Sequence, residues 1–132
     1  MAISDIPGLS ALRTSMQWHQ QRQRVLAENV SNADTPNYQP RDLVRPTAKA
    51  LASGAQPGLT MVRTSAAHIG PSGGVASFVT ERRGGSETRP AGNAVSLDDE
   101  MLKVAQNQMD YQAATSLYTR GLGMLKTAIG RR

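Results

Sequence analysis

The sequence predicts a mainly α-helical, elongated subunit, with N- and C-terminal helices pairing as a coiled coil around a short irregular centre. Three observations lead there. Heptad-spaced apolar residues run through both ends of the 132-residue chain. Six of the seven prolines and eight of the twelve glycines fall between Pro36 and Gly92, a density that belongs to irregular backbone. Aromatic residues are only 4% of the chain, too few for the core of a large pocket-bearing enzyme fold. The chain accordingly divides into an N-terminal helix with the turn that ends it (1–35), an irregular centre (36–92) and a C-terminal helix (93–132).

In the first segment, alternate steps of three and four give Leu9, Leu12, Met16, His19, Gln23, Leu26, Val30 and Ala33, six of the eight apolar. This is one face of an amphipathic helix with a polar middle. Asp5 or Ser10 offers a cap at its start. Its end is marked by Asn29, Ser31, Asn32 and Asp34, which favour caps and turns, and by Pro36, which pushes Thr35 out of the helical region.

In the centre, Leu59–Thr64 and Val75–Thr80 have strand composition, and Pro71-Ser72-Gly73-Gly74 supplies a turn between them. A small β-hairpin fits there. Residues 46–58 and 82–92 read as loops.

The C-terminal segment is the more regular. Steps of four and three give Leu97, Met101, Val104, Gln108, Tyr111, Thr115, Tyr118, Leu122, Leu125 and Ile129, eight of the ten apolar over more than four heptads. Ser96 stands at the N-cap with Asp98, Asp99 and Glu100 behind it, where the helix dipole favours anions; Lys126 sits near the end that favours cations. A second stripe, Leu102, Ala105, Met109, Ala113 and Met124, widens the apolar face beyond what one partner helix covers. Gly121 and Gly123 interrupt the helix and are tolerable where another backbone comes close. The helices thus carry more apolar surface than a single copy can bury, and further subunits are expected to cover the rest.

No constellation for catalysis emerges. With only His19 and His68, and no cysteine, neither a histidine-rich nor a thiolate metal site can form. The acidic run at 98–100 is explained by capping, the Gly-Gly pairs lack the Lys-Ser/Thr of a phosphate loop, and no Gly-x-Ser-x-Gly elbow occurs. We expect no enzyme, cofactor, metal or small-molecule ligand. No apolar run approaches a membrane span, and no basic region precedes an apolar block at Met1–Asp5, so no cleaved signal peptide is expected. A net charge of +5 invites nucleic acid as partner, but the arginines are scattered and no aromatics are interleaved to stack bases. A coiled-coil adaptor or a basic nucleic-acid-binding architectural protein is the competing reading.

The segment Ala27-Glu28-Asn29-Val30-Ser31-Asn32-Ala33-Asp34-Thr35-Pro36-Asn37-Tyr38 closely resembles the N-terminal signature of bacterial flagellar axial proteins, the rod, hook and hook-associated subunits. Gln20–Leu26 leading into it, Arg41-Asp42 after the tyrosine, Arg63-Thr64 with His68-Ile69, Gly92–Met101 and Tyr111–Thr115 bring the likeness closest to the proximal rod family. The resemblance implies a rod subunit of the flagellar basal body, exported through the flagellar export apparatus into the periplasm. It also implies neighbours: other rod proteins, the membrane–supramembrane ring protein and the rod-base adaptor, with self-association in a helical assembly. On that reading Leu9, Leu12, Met16, Leu26, Val30, Leu97, Met101, Val104, Tyr111, Tyr118, Leu122, Leu125 and Ile129 form the coiled-coil seam. For the signature, Asn29, Asn32 and Asp34 are expected to satisfy helix-end backbone groups, Thr35-Pro36 to fix the exit, and Tyr38 to pack on a neighbour.

Overall fold

The structure is a computed structural model that describes residues 6–47, 78–82 and 88–130. Its elements, in chain order, are α1 (Pro7–Ser31), β1 (Arg41–Leu43), β2 (Thr80–Arg82) and α2 (Leu97–Ala128). Proline at the first helical position opens α1, where its missing N–H costs nothing and its fixed φ suits a helix. Ile6 occupies the N-cap without a side-chain bond, and Ser10 instead donates to the Pro7 carbonyl. Of the two expected caps, Ser10 therefore does not serve, and Asp5 lies outside the described residues. At the other end Asn32 takes the C-cap position. For α2 the expectation holds: Ser96 is the N-cap, its hydroxyl accepting from the Asp99 N–H at 3.5 Å, with Lys126 in the last turn.

The two helices pack antiparallel. Asn29 meets Glu100, His19 and Gln23 meet Asn107, and Leu9 lies over Gly121. The N-terminal stripe behaves as its spacing predicts: Leu9, His19, Leu26 and Ala33 are buried, and Leu12, Met16, Gln23 and Val30 half-buried. Another face of α1 carries Trp18, which packs with Leu43, Phe78 and the half-buried Val25 in a small core under the sheet. β1 and β2 pair antiparallel, Arg41 opposite Arg82 and Leu43 opposite Thr80. The small sheet is present, but its strands are Arg41–Leu43 and Thr80–Arg82: Phe78 and Val79 precede the second strand, and Arg82 lies in it rather than in a loop. The expected strand Leu59–Thr64 and the turn Pro71–Gly74 lie outside the described residues, as do His68 and Ile69.

The C-terminal stripe divides between two surroundings. Along α2 three rows run parallel, each stepping by seven. Val104, Tyr111, Tyr118 and Leu125 are half-buried, as expected. The row completing the contact with α1 is Glu100, Asn107, Ala114 and Gly121; of Met101, Gln108, Thr115, Leu122 and Ile129 only Thr115 is half-buried. In that inner row Glu100 and Asn107 are among the most completely buried side chains of the molecule. Gly121 allows the close approach: a Cβ there would stand 3.1 Å from the tip of Leu9. Met101 and Ile129, in the outer row, are 59% and 63% exposed, Leu122 is 36% exposed, and Leu97 at the helix start is 40% exposed. The second stripe is open too, with Leu102, Ala105, Met109, Ala113 and Met124 all exposed. The inner row is polar and small and lies beside the half-buried Val104, Tyr111, Tyr118 and Leu125, while Met101, Ile129 and the second stripe face outward.

Candidate functional site

The signature closes into a junction between the end of α1, β1 and the start of α2, organised by Asn29. Its Nδ2 donates to the Arg41 carbonyl at 2.7 Å and to Glu100 Oε2 at 2.9 Å. Its Oδ1 accepts from the Arg41 N–H and the Tyr38 hydroxyl, both at 3.1 Å. The carboxamide therefore pairs with both peptide groups of Arg41 as a neighbouring strand would, and still has one N–H for α2. Among side chains of this length, only asparagine both donates and accepts in that way. Glu100, delivered by the first turn of α2, is held from its other side by Lys103 Nζ at 2.5 Å. The buried carboxylate is thus paired and hydrogen-bonded rather than left bare.

Asn32 and Asn93 complete the junction. Asn32 Nδ2 donates to the Glu28 carbonyl at 2.8 Å, so this residue does satisfy a helix-end group, and its Oδ1 accepts from the Thr35 hydroxyl. Asn93 Nδ2 donates to the carbonyls of Asn32 and Thr35, its Oδ1 accepts from the Val95 N–H, and the residue is buried. The chain before α2 is thereby tied to the end of α1. Two backbone bonds reinforce the tie, Asn37 N–H to the Ala91 carbonyl and Ala94 N–H to the Tyr38 carbonyl. Gly92 has φ +76° and faces Asn37 so closely that any Cβ would overlap its side chain; only glycine fits.

A second polar lock joins α1 to β1. Arg22 makes a two-pronged pair with Asp42, Nε to Oδ1 at 2.8 Å and Nη2 to Oδ2 at 2.9 Å. Its guanidinium carbon also lies 5.3 Å from the centre of the Trp18 ring, within cation–π range. Trp18 Nε1–H donates to the Val44 carbonyl at 2.9 Å. Burial alone would raise the Asp42 pKa. The Arg22 hydrogen bond and charge, the Leu43 N–H and the Lys103 charge outweigh it and hold the carboxyl below its ordinary value of 3.8.

The signature residues differ in what they touch within the chain. Asn29 bonds strand and partner helix rather than its own helix end, and Tyr38 reaches back to Asn29 in its own chain. Asp34 is exposed, 3.6 Å from Arg89, and makes no helix-end bond. Thr35 and Pro36 are exposed in the turn that follows α1. Periodicity did not single out Glu100, Asn107, Asn93 or the Arg22–Asp42 pair. The available signal was Glu100 and Asn107 seven residues apart beside the row of Val104 and Tyr111, together with asparagines placed just outside both helices.

A helical hairpin with a fully bonded turn and unpaired apolar rows on its longer helix is the build of a structural subunit that lies against other subunits. Residues 9–39, α1 with its signature, match the family described as flagella basal body rod protein. The chain is 34% identical over 117 residues to the flagellar basal body rod protein FlgB of Salmonella typhimurium, covering 83% of this chain and 84% of that one. It is 35% identical over 102 residues to the Escherichia coli (strain K12) protein of the same name, 73% of each chain. It is 29% identical over 108 residues to the Bacillus subtilis (strain 168) one, 82% and 81% of the two chains. The chain belongs to the flagellar basal body rod proteins, in the FlgB family. It is a structural rod subunit of the flagellum, and it assembles with other rod proteins in the basal body.

Proposed function

We propose that this subunit builds the proximal part of the rod and passes torque from the membrane ring towards the hook through helices locked side by side. One observation carries the reading: α2 turns Glu100, Asn107, Ala114 and Gly121, beside Val104, Tyr111, Tyr118 and Leu125, to α1 and leaves Met101, Leu102, Met109, Leu117, Leu122, Met124 and Ile129 exposed. Full burial of such a side chain from water is worth roughly 1.5–3 kcal/mol and these are already partly covered, so a neighbour completing the burial adds about 1 kcal/mol at each. The predicted seam residues then act in two groups. Leu9, Leu12, Met16, Leu26, Val30, Val104, Tyr111, Tyr118 and Leu125 serve the fold of one subunit; Leu97, Met101, Leu122 and Ile129 serve the contact between subunits. Asn29, Asn32, Asp34, Thr35, Pro36 and Tyr38 set the angle at which the hairpin is presented.

The neighbours that fit are further copies of this chain, the other rod subunits, the membrane–supramembrane ring protein and the rod-base adaptor. The subunit reaches the periplasm through the flagellar export apparatus. Its work is mechanical rather than catalytic. Replacing Leu122 by aspartate in a strain lacking the native gene tests the reading. The expected outcome is a non-motile strain whose basal bodies, seen by electron microscopy, have rings without rods. Normal swimming of that strain overturns it.

A further inference from the structure

The inner row of α2 raises a question that rod assembly alone does not answer. Why does a helix with Met101 and Leu122 available turn Glu100 and Asn107 towards its partner? The two candidate contact faces share Val104, Tyr111, Tyr118 and Leu125. They differ only in whether Glu100, Asn107, Ala114 and Gly121 or Met101, Gln108, Thr115 and Leu122 complete the seam. At 3.6 residues per turn, a rotation of α2 about its own axis by roughly 50° exchanges one for the other. Apolar content favours the outer row, since Met101 and Leu122 are larger and less polar than Glu100 and Gly121.

What opposes the exchange is a ladder of buried hydrogen bonds. Asn107, 1% exposed, has its Oδ1 2.7 Å from His19 Nδ1. Its Nδ2 donates to the His19 carbonyl at 3.0 Å and to Gln23 Oε1 at 2.9 Å. With Asn107 donating through its nitrogen to two oxygens, its oxygen must accept, and His19 carries its proton on Nδ1. One level along, Glu100, 2% exposed, accepts from Asn29. If α2 turned, Asn29 and His19 would remain on the inner face of α1 opposite Met101 and Gln108. One Asn29 N–H would then be left in the seam without its acceptor. Leaving a buried donor unpaired costs more than forming its bond gains, which is how a polar layer can override apolar preference.

We propose that Glu100 and Asn107 are positioning residues that choose the rotation of α2, holding the apolar rows outward where neighbouring subunits can reach them. The choice of rotation stands on the hairpin alone; only the use of the outward face rests on the rod reading above.

The chain contains no cysteine, so single thiols report rotation directly. Met101→Cys, Val104→Cys and Ala114→Cys are made separately in the full chain and their rates of maleimide labelling measured. In the otherwise native chain, Met101→Cys labels fast, and Val104→Cys and Ala114→Cys slowly. Adding Glu100→Ala with Asn107→Ala slows Met101→Cys by about tenfold, speeds Ala114→Cys by a similar factor and leaves Val104→Cys protected. An unchanged pattern overturns the proposal. So does fast labelling at all three sites, because the outer row would then have failed to take over the seam.

Gln108→Leu supplies a second test that removes no bond of the ladder. It enriches the outer row, and with Glu100 and Asn107 in place the native pattern must persist. Protection of Met101→Cys in that variant would show that apolar content sets the rotation and would overturn the proposal. Motility of the Glu100→Ala/Asn107→Ala strain separates the two readings. A turned helix in a swimming cell upholds the lock and counts against the assembly role of the outward face.

Discussion

At the scale of single residues, the molecule is organised by side chains that spend every hydrogen-bonding position they have. Asn29 makes four bonds, two to the peptide groups of Arg41 and one each to Tyr38 and Glu100. Asn29→Asp keeps the shape but loses both donated bonds and sets a carboxylate against Glu100. We expect it to lower stability by about 3 kcal/mol, measured by urea denaturation at neutral pH. Asp42 gives the fold a pH dependence. Burial disfavours its charge, but Arg22 and its other partners prevail and its pKa is lowered from 3.8. A carboxylate with a depressed native pKa binds its proton more readily in the unfolded chain. Its contribution is therefore full above its ordinary pKa and fades as pH falls through the lower native value. Asp42→Asn should cost roughly 3 kcal/mol at pH 6, and denaturation midpoints of parent and variant should converge below about pH 4.

At the scale of elements, the two helices were legible to different depths. The α1 stripe from Leu9 to Ala33 is buried or half-buried throughout, because one helix face meets one partner and the 3.6-residue period records it. The α2 pattern located the helix and its cap. Ser96→Ala should cost about 1 kcal/mol, read as a lower helix-melting midpoint by circular dichroism. The same pattern could not say which of two adjacent rows meets α1. An apolar row marks a surface that must be covered without naming what covers it, and here a buried glutamate and asparagine took the inner position. The strand Arg41–Leu43 was missed for a related reason. Three-residue strands such as Arg41–Leu43 carry too little alternation to stand out, and their pairing with Thr80–Arg82 joins positions far apart in the chain.

At the scale of the whole molecule, the division of labour between faces explains how one hairpin can be both ordered and adhesive. The junction of Asn29, Asn93 and Glu100 and the Arg22–Asp42 pair are satisfied within one chain. None of the buried side-chain polar atoms among the described residues lacks a hydrogen-bond partner. The apolar rows of α2 are left for contact. That separation sharpens the Leu122→Asp experiment. Leu122 is 36% exposed, so the charge should cost the free subunit no more than about 2 kcal/mol while assembly is lost. A large loss of stability in the isolated chain would instead mean that Leu122 serves the subunit's own fold.

The sequence by itself determined the two long helices, the cap at Ser96 and the surplus of apolar helix surface. Each of these follows from local preference or from a period repeated along the chain. The signature from Ala27 to Tyr38 also placed the chain among flagellar axial proteins before any geometry was considered. Only the tertiary structure decided that Asn29 would fasten a strand and a second helix, that Asn93 would close the turn, and that Glu100 and Asn107 would face inward. Those outcomes depend on hydrogen-bond partners 12 to 88 positions apart, brought together by the antiparallel packing of the helices. No local pattern encodes such pairs, because a polar side chain in a sequence does not announce whether water or another residue will satisfy it.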